Sequence, residues 1–136
     1  MKKDKKVIDQ LNLGLKKELT AINQYFLHSR MLEDWGVTKL AAHEYKESIE
    51  EMQHADLFIK RILLLGGLPN LQELGKLFIG ENVKEVIECD LKLELDGIET
   101  YRNAVKICEE QQDYVSRDLF MTILKAEEDH ADTLQT

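Results

Sequence analysis

The chain has 136 residues, of which 43% are hydrophobic, and a formal net charge of −8 at pH 7. This length supports one core, so we expect residues 1–136 to form a single domain. The negative charge argues against a nucleic-acid partner, because phosphates would be repelled. No apolar segment is long enough to cross a membrane or to form the core of a signal peptide, so we expect a soluble, cytoplasmic protein.

The predicted elements are all helices, since helix formers dominate and the sequence contains one proline and seven glycines. In chain order, apolar residues at helical spacing predict helices over residues 4–34, 38–65, 82–110 and 113–136. Gly36 ends the first helix, Gly66 ends the second, and Thr38 is expected to cap the start of the second. A long connection at 68–80 separates two short ones. The pattern predicts an all-α four-helix bundle of two hairpins joined by a long crossover.

One sequence pattern occurs twice at a fixed offset. Glu-x-x-His-Ala-Asp begins at Glu51 and again at Glu127, and 127 − 51 = 76 residues. Glu-Leu-x-x-Ile-x-x-Tyr begins at Glu18 and again at Glu94, and 94 − 18 = 76 as well. Equal registers in both halves indicate two similar hairpins that face each other. Descent from a duplication that no longer binds metal would preserve the same pattern and is the alternative.

The repeated residues have the chemistry of a two-metal site. Each Glu-x-x-His pair lies on one helix face, because residues three apart are neighbours there. The other two glutamates begin apolar stripes and would be buried. Four buried carboxylates are tolerable only beside positive charge, which two divalent ions supply. Mixed oxygen and nitrogen ligands favour iron or manganese over calcium or thiolate-bound zinc. The six candidate ligands are Glu18, Glu51, His54, Glu94, Glu127 and His130.

The other chemically active side chains have simpler interpretations. Tyr25 and Tyr101 are predicted core residues whose hydroxyls bond a nearby glutamate, with local electron donation as an alternative role. His28 is predicted to be a structural or surface histidine. Cys89 and Cys108 lie 108 − 89 = 19 residues apart on one predicted helix. That distance is too long for a disulfide, so both are expected to be reduced thiols.

From about Val7 to Asp132 the chain resembles the bacterioferritins. The motifs that carry the resemblance are ELTAINQYFLH at 18–28, EYKESIEEMQHAD at 44–56, GLPNLQ at 67–72, LELDG at 93–97 and DYVSRD at 113–118. The resemblance implies a ferritin-like fold and a ferroxidase that oxidises Fe(II) to Fe(III) with dioxygen or peroxide. It also implies iron storage as a mineral in a 24-subunit cage, homodimers that share a b-type haem, and a ferredoxin-type electron donor.

The family's functional residues carry over onto matching positions. The resemblance implies that Glu51 and Glu127 bridge the two irons. It implies the remaining ligands in pairs, Glu18 with His54 on one iron and Glu94 with His130 on the other, with Tyr25 as an accessory residue. It further implies that Met52 is the axial haem ligand. On a helix Met52 points about 100° away from its neighbour Glu51, and without the resemblance it would be read as a packing residue.

Two departures from the family pattern stand out. Some members carry a histidine at position 46 as part of an inner-surface iron site, whereas this chain has Lys46, with Glu47 and Glu50 retained. The family also continues past position 136 into a short fifth helix that lines the four-fold channels. We therefore expect that C-terminal helix to be absent here and the channels to be wider or closed differently.

Three other functions are compatible with such a bundle. A rubrerythrin-like peroxidase is disfavoured, because the chain has no Cys-x-x-Cys pair to hold a mononuclear iron. A haem-carrying electron-transfer dimer would bind haem without rapid iron oxidation. A purely structural bundle would behave normally after replacement of the site glutamates. The sequence favours the iron-storing ferroxidase over all three.

Overall fold

The computed structural model describes residues 4–135, and within that range the regular elements are four long helices with no strand. They are α1 (Lys5–Asp34), α2 (Thr38–Leu64), α3 (Val83–Glu110) and α4 (Tyr114–Gln135). Helix α1 packs against α2 and α3, and α3 packs against α4. This arrangement confirms the predicted all-α bundle of two hairpins. No helix in the described range is both long and apolar enough to span a bilayer.

The predicted end signals at Gly36 and Gly66 are confirmed, and two further helix starts have side-chain caps. The Asp4 carboxylate accepts hydrogen bonds from the first turn of α1, and Asn82 does the same for α3. Gly36 and Gly66 follow the ends of α1 and α2 with φ values of 81° and 80°, a conformation that suits glycine. The prediction that Thr38 caps α2 is wrong. The tight turn at Gly36 places Val37 at the cap position without a side-chain bond, so Thr38 is already helical.

The long connection runs as an extended segment beside α1, and we call residues 68–80 the strap. Side chains spaced four residues apart on α1 hold its backbone. Gly75 N–H donates to the Thr20 hydroxyl at 2.8 Å, and Phe78 N–H donates to Gln24 Oε1 at 3.1 Å. Other strap contacts of α1 come from Asn12 to Leu68 and Asn70, from Lys16 to Glu73, and from His28 to Gly80. The strap is therefore fixed in register with α1 along most of that helix.

The apolar core is divided by a layer of buried polar side chains. The larger cluster lies towards the start of α1 and includes Phe58, Tyr101 and Phe120, whose ring centroids are 5.2–6.0 Å apart. The smaller cluster, around Leu32 and Val86, lies towards the other end. The predicted metal ligands lie between these clusters, in the middle of all four helices.

Candidate di-metal centre

The six predicted ligands come together in the centre of the bundle. The four glutamates are at most 4% exposed, and the side chains of His54 and His130 are 16% and 11% exposed. Each helix contributes at least one of them: α1 provides Glu18, α2 provides Glu51 and His54, α3 provides Glu94, and α4 provides Glu127 and His130. The 76-residue register of the sequence thus corresponds to side chains that converge in space.

The ligand atoms form two overlapping groups. One group contains Glu18, Glu51, His54 and Glu127, and the other contains Glu51, Glu94, Glu127 and His130. Within each group one ligand atom per residue lies within 4.8 Å of the others. Glu51 and Glu127 belong to both groups, which is the placement that bridging carboxylates require.

Both histidines direct Nδ1 towards the carboxylates. His54 Nδ1 lies 3.4 Å from Glu18 Oε1, and His130 Nδ1 lies 3.4 Å from Glu51 Oε1 and 3.8 Å from Glu94 Oε2. These two nitrogens and one oxygen from each of the four glutamates are buried without a hydrogen-bond partner. Buried polar atoms without partners are costly. Their convergence on two points fits a pair of cations.

Two tyrosines hold carboxylates across the hairpins in matching ways. The Tyr101 hydroxyl donates to Glu18 Oε1 at 2.9 Å, and the Tyr25 hydroxyl donates to Glu94 Oε1. Both tyrosines are buried, so the predicted pairing of each hydroxyl with a nearby glutamate is confirmed. Gly97 faces Glu127, and a Cβ at that position would lie 3.3 Å from Glu127 Oε2. The glycine leaves room for that carboxylate to adjust.

Burial dominates the protonation of the site carboxyls. Burial raises the pKa of Glu18 to about 7, despite hydrogen bonds to Glu51 and Tyr101. Burial and the charge of neighbouring carboxylates also raise the pKa values of Glu51 and Glu127 well above the usual range. For Glu94, burial is outweighed by the neighbouring Glu127 carboxyl and His130 imidazole, and its pKa is lowered. A site that holds protons without metal can exchange them for cations.

His130 is also held from its outer side. Its Nε2 lies 2.8 Å from Glu47 Oε2 and 3.1 Å from Glu50 Oε2. Burial lowers the pKa of His130, but the adjacent carboxylates of Glu47 and Glu94 outweigh it and raise that pKa to about 11. The glutamates that the sequence retains beside Lys46 therefore contact a predicted ligand.

A third polar group was not anticipated from the sequence. His28 is fully buried with Glu44 and Asp90, and their ligating atoms also lie within 4.8 Å of one another. The prediction that His28 is a structural or surface histidine did not foresee this environment, because His28 is buried within a polar cluster. Its N–H and carboxylate partners come from the strap and α3, which are remote in sequence. The signal that could have found the cluster is the polarity of all three positions on core-facing stripes.

Comparison with known proteins gives one consistent family. A family model described as the ferritin-like domain matches residues 8–136. The bacterioferritin of Brucella melitensis biotype 1 is 53% identical over 136 residues, which cover 100% of this chain and 84% of that protein. The bacterioferritin of Rhodobacter capsulatus is 52% identical, with 100% and 84% covered. Bacterioferritin BfrA of Mycobacterium tuberculosis H37Rv is 48% identical, with 100% and 86% covered.

Proposed function

The chain belongs to the ferritin family, and from that membership we propose that it oxidises ferrous iron at the di-metal centre and stores the ferric product. Iron storage is the function that its bacterioferritin relatives support. The observation that carries the oxidation step is the pair of ligand groups that share Glu51 and Glu127. Two ions held by common carboxylates are close enough to pass two electrons to one oxygen molecule.

Iron is the substrate in this reaction, and each half of the site has its own terminal ligands. Glu18 and His54 belong to one group only, and Glu94 and His130 to the other. We assign these pairs to separate irons, with the shared carboxylates between them. The tyrosine hydroxyls fix the orientation of Glu18 and Glu94, as outer hydrogen bonds do in metal sites generally. Tyr25 in this role is an accessory residue.

The test is an anaerobic titration with ferrous iron followed by the admission of oxygen. We expect a rapid rise in near-ultraviolet absorbance that saturates at two irons per subunit. Glu128→Ala is the matched control for changes at Glu127, because Glu128 is exposed and pairs with Arg102 at 3.1 Å. It should leave the fast phase unchanged. Absence of the fast phase in the unmodified protein would refute the ferroxidase assignment.

One face of the first hairpin supports self-association. Phe26, Tyr45, Ile49 and Met52 are exposed apolar residues on α1 and α2, and we call them the apolar face. Arg30 stacks over the rings of Phe26 and Tyr45 at 5.2 and 5.1 Å from their centroids. Contiguous exposed apolar residues mark interaction surfaces. We propose that this face forms the homodimer from which the family's 24-subunit cage is built.

The apolar face also fits a b-type haem. Met52 is 54% exposed, so its thioether is available to a ligand, and two copies of the face would present two such sulfurs. Haem, when bound, supplies a one-electron redox centre. A ferredoxin-type electron donor and a cytoplasmic location complete the proposal. The free Cys89 and Cys108 thiols support the location, because reduced thiols are typical of reducing compartments.

A further inference from the structure

The buried group of His28, Glu44 and Asp90 lies beside the di-metal centre but contributes none of its six ligands. All three side chains are at most 1% exposed. Asp90 precedes Glu94 by one helical turn on α3, and His28 follows Tyr25 by one turn on α1. Such a buried polar group needs a complete account of its hydrogen bonds.

The hydrogen bonds of His28 fix its proton. Gly80 N–H of the strap donates to His28 Nε2 at 3.0 Å, so Nε2 is an acceptor and the ring proton lies on Nδ1. His28 Nδ1 lies 2.9 Å from Asp90 Oδ1, to which it therefore donates. Gln24 Nε2 donates to the same oxygen at 3.1 Å. His28 is neutral and has no free nitrogen for a metal ion.

Glu44 has no such partners. Both of its carboxyl oxygens and Asp90 Oδ2 are buried without a hydrogen bond from another described residue. Two ionised carboxylates in this position would be strongly unfavourable, since they repel each other in a medium of low polarity. One proton on Glu44, donated to Asp90 Oδ2, removes the repulsion and completes three hydrogen bonds to Asp90.

Electrostatics agree with this arrangement. Burial, followed by the hydrogen bond and charge of Asp90, raises the pKa of Glu44 to about 11. Besides Asp90, the carboxylates of Glu47 on α2 and Glu94 on α3 act on Glu44, and His28 Nδ1 lies 3.7 Å from Glu44 Oε1. The raised pKa and the absence, within residues 4–135, of hydrogen-bond donors to its carboxyl oxygens both favour the neutral form of Glu44, and its electrostatic neighbours include a predicted ligand.

We propose that Glu44 is a proton donor for oxygen reduction at the di-metal centre, held in its neutral form by Asp90 and His28. This inference rests on the proposed ferroxidase function. In the reaction 2 Fe²⁺ + O₂ + 2 H⁺ → 2 Fe³⁺ + H₂O₂, each iron loses one electron and two O–H bonds form on the reduced oxygen. Glu44 supplies one of the two protons and becomes a carboxylate, while solvent supplies the other. Glu44 is reprotonated from solvent before the next cycle. Asp90 and His28 are positioning residues.

The repeat shows that the fold does not require this acid. In the 76-residue repeat, the position equivalent to Glu44 is Phe120, the one equivalent to His28 is Ala104, and the one equivalent to Asp90 is Gly14. Those three residues belong to, or contact, the aromatic cluster around Phe58. An apolar layer therefore serves the bundle equally well at the equivalent place. The polar layer has a cost in folding that a chemical role explains.

The first test is infrared spectroscopy of protein loaded with Zn²⁺, which is redox-inert and displaces protons from the site glutamates. We expect a carbonyl band of a protonated carboxylic acid at pH 8 that shifts in D₂O. The band should be missing in Glu44→Gln, which keeps a donor towards Asp90, and retained in the packing control Phe120→Leu. A Zn²⁺-loaded wild-type protein without that band would overturn the proposal.

The second test is the rate of the fast oxidation phase in H₂O and in D₂O. We expect Glu44→Gln to slow this phase about 100-fold, the lower range for a positioned proton donor. Its solvent isotope effect should differ from that of wild type. Glu44→Asp should recover part of the rate, and Phe120→Leu should match the wild-type isotope effect. Equal rates and isotope effects in wild type and Glu44→Gln would refute the proton role alone, whereas no fast phase in wild type would refute the ferroxidase function as well.

Discussion

The two layers that flank the metal ligands occupy equivalent positions in the two halves of the chain but differ in polarity. On one side, Gly14, Ala104 and Phe120 pack with Phe58, and a Cβ at Gly14 would lie 2.8 Å from the Phe58 ring. On the other side the equivalent residues are Asp90, His28 and Glu44, all buried, with His28 hydrogen-bonded to Asp90. The apolar layer shows that the bundle requires only that this space be filled. The polarity of the other layer is what the proposed proton donation by Glu44 requires.

The surroundings of the two histidines show the same asymmetry. His130 Nε2 contacts Glu47 and Glu50, whereas the residues 76 positions on from these glutamates are Ile123 and Ala126. The predicted metal position beside His130 is therefore more acidic on its outer side than the one beside His54. The ligand set is symmetric, but the groups that adjust its charge are not.

The outward faces of the hairpins differ as well. The apolar face of the first hairpin contains Phe26, Tyr45, Ile49 and Met52. The residues 76 positions further on, in the second hairpin, are Arg102, Met121, Lys125 and Glu128. Three of these four are charged, and Arg102 pairs with Glu128. The outward face of the first hairpin is therefore apolar at positions where that of the second is mostly charged.

The largest effect is expected where the two halves are identical. Replacing Glu127 or His130 by alanine removes a ligand from the shared layer and should slow the fast oxidation phase by about 100-fold or more, beyond the usual effect of losing an outer partner. The helical circular dichroism spectrum should be unchanged, because neither residue is part of the apolar core. Rapid-mixing absorbance measures the rate. A rate like that of the Glu128→Ala control in both variants would contradict the assignment of the ligands.

A substitution in the apolar flanking layer is expected to affect the oxidation rate less than the loss of a ligand does, but to lower the stability of the fold strongly. Phe120→Ala leaves a cavity between Phe58 and Tyr101 and should lower the free energy of unfolding by about 3–5 kcal/mol. Its counterpart Glu44→Gln keeps a donor towards Asp90 and should change it by less than about 1 kcal/mol. Chemical denaturation of the metal-free proteins at equal concentration measures both. Equal losses would mean that the polar layer is as important to packing as the aromatic one.

The helices and the ligand layer were predictable because both depend on spacing along single helices. Apolar periodicity predicts the four elements within a residue or two, and the offset of 76 identifies the matching ligand positions by counting along the chain. The prediction that Thr38 caps α2 was wrong because Gly36 forms a tight turn, which leaves Val37 at the cap position. Local patterns are sufficient where one helix determines the outcome.

The polar flanking layer was not predictable in the same way, because it depends on contacts between three helices and the strap. His28 alone is an ordinary helical histidine. The position of its ring proton depends on the Gly80 N–H, which lies 52 residues away in sequence and donates to Nε2. The repeat did contain a signal, since Glu44 aligns with Phe120 and Asp90 with Gly14. A mismatch of polarity at equivalent core positions marks a place where function departs from the duplicated fold.

A moderate effect is expected from pH, because one residue in each half, Glu18 and His130, has a raised pKa and therefore changes stability in the same direction. The folded pKa of Glu18 is about 7 against a usual 4.5, and that of His130 is about 11 against 6.5. In both windows the folded protein binds more protons than the unfolded chain, so its stability falls as the pH rises. Thermal unfolding of metal-free protein should show a decreasing midpoint from about pH 5 to about pH 9.

Divalent ions should reduce that decrease, since they replace the protons as counter-charges to the carboxylates. The rise in the unfolding midpoint on addition of Zn²⁺ should therefore be larger at the alkaline end of the range than at the acid end. Glu47→Gln should diminish the alkaline part of the metal-free decrease, because Glu47 contributes the leading hydrogen bond that raises the pKa of His130. A midpoint that does not change with pH in metal-free protein would contradict the protonated site.

The smallest effect on the stability of the bundle is expected from substitutions on its outer surface, where equivalent residues of the two hairpins can be compared. Met52→Leu conserves volume on the apolar face but removes the thioether, so haem binding should be lost with little change in unfolding temperature. The matched control is Met121→Leu, because Met121 is an exposed methionine of the second hairpin. Spectroscopic titration with haem should show about one haem for two subunits in the control and none in Met52→Leu. Equal haem binding by both variants would show that haem does not bind through Met52 on the apolar face. Equal loss in both would show that haem binds exposed methionines of either hairpin.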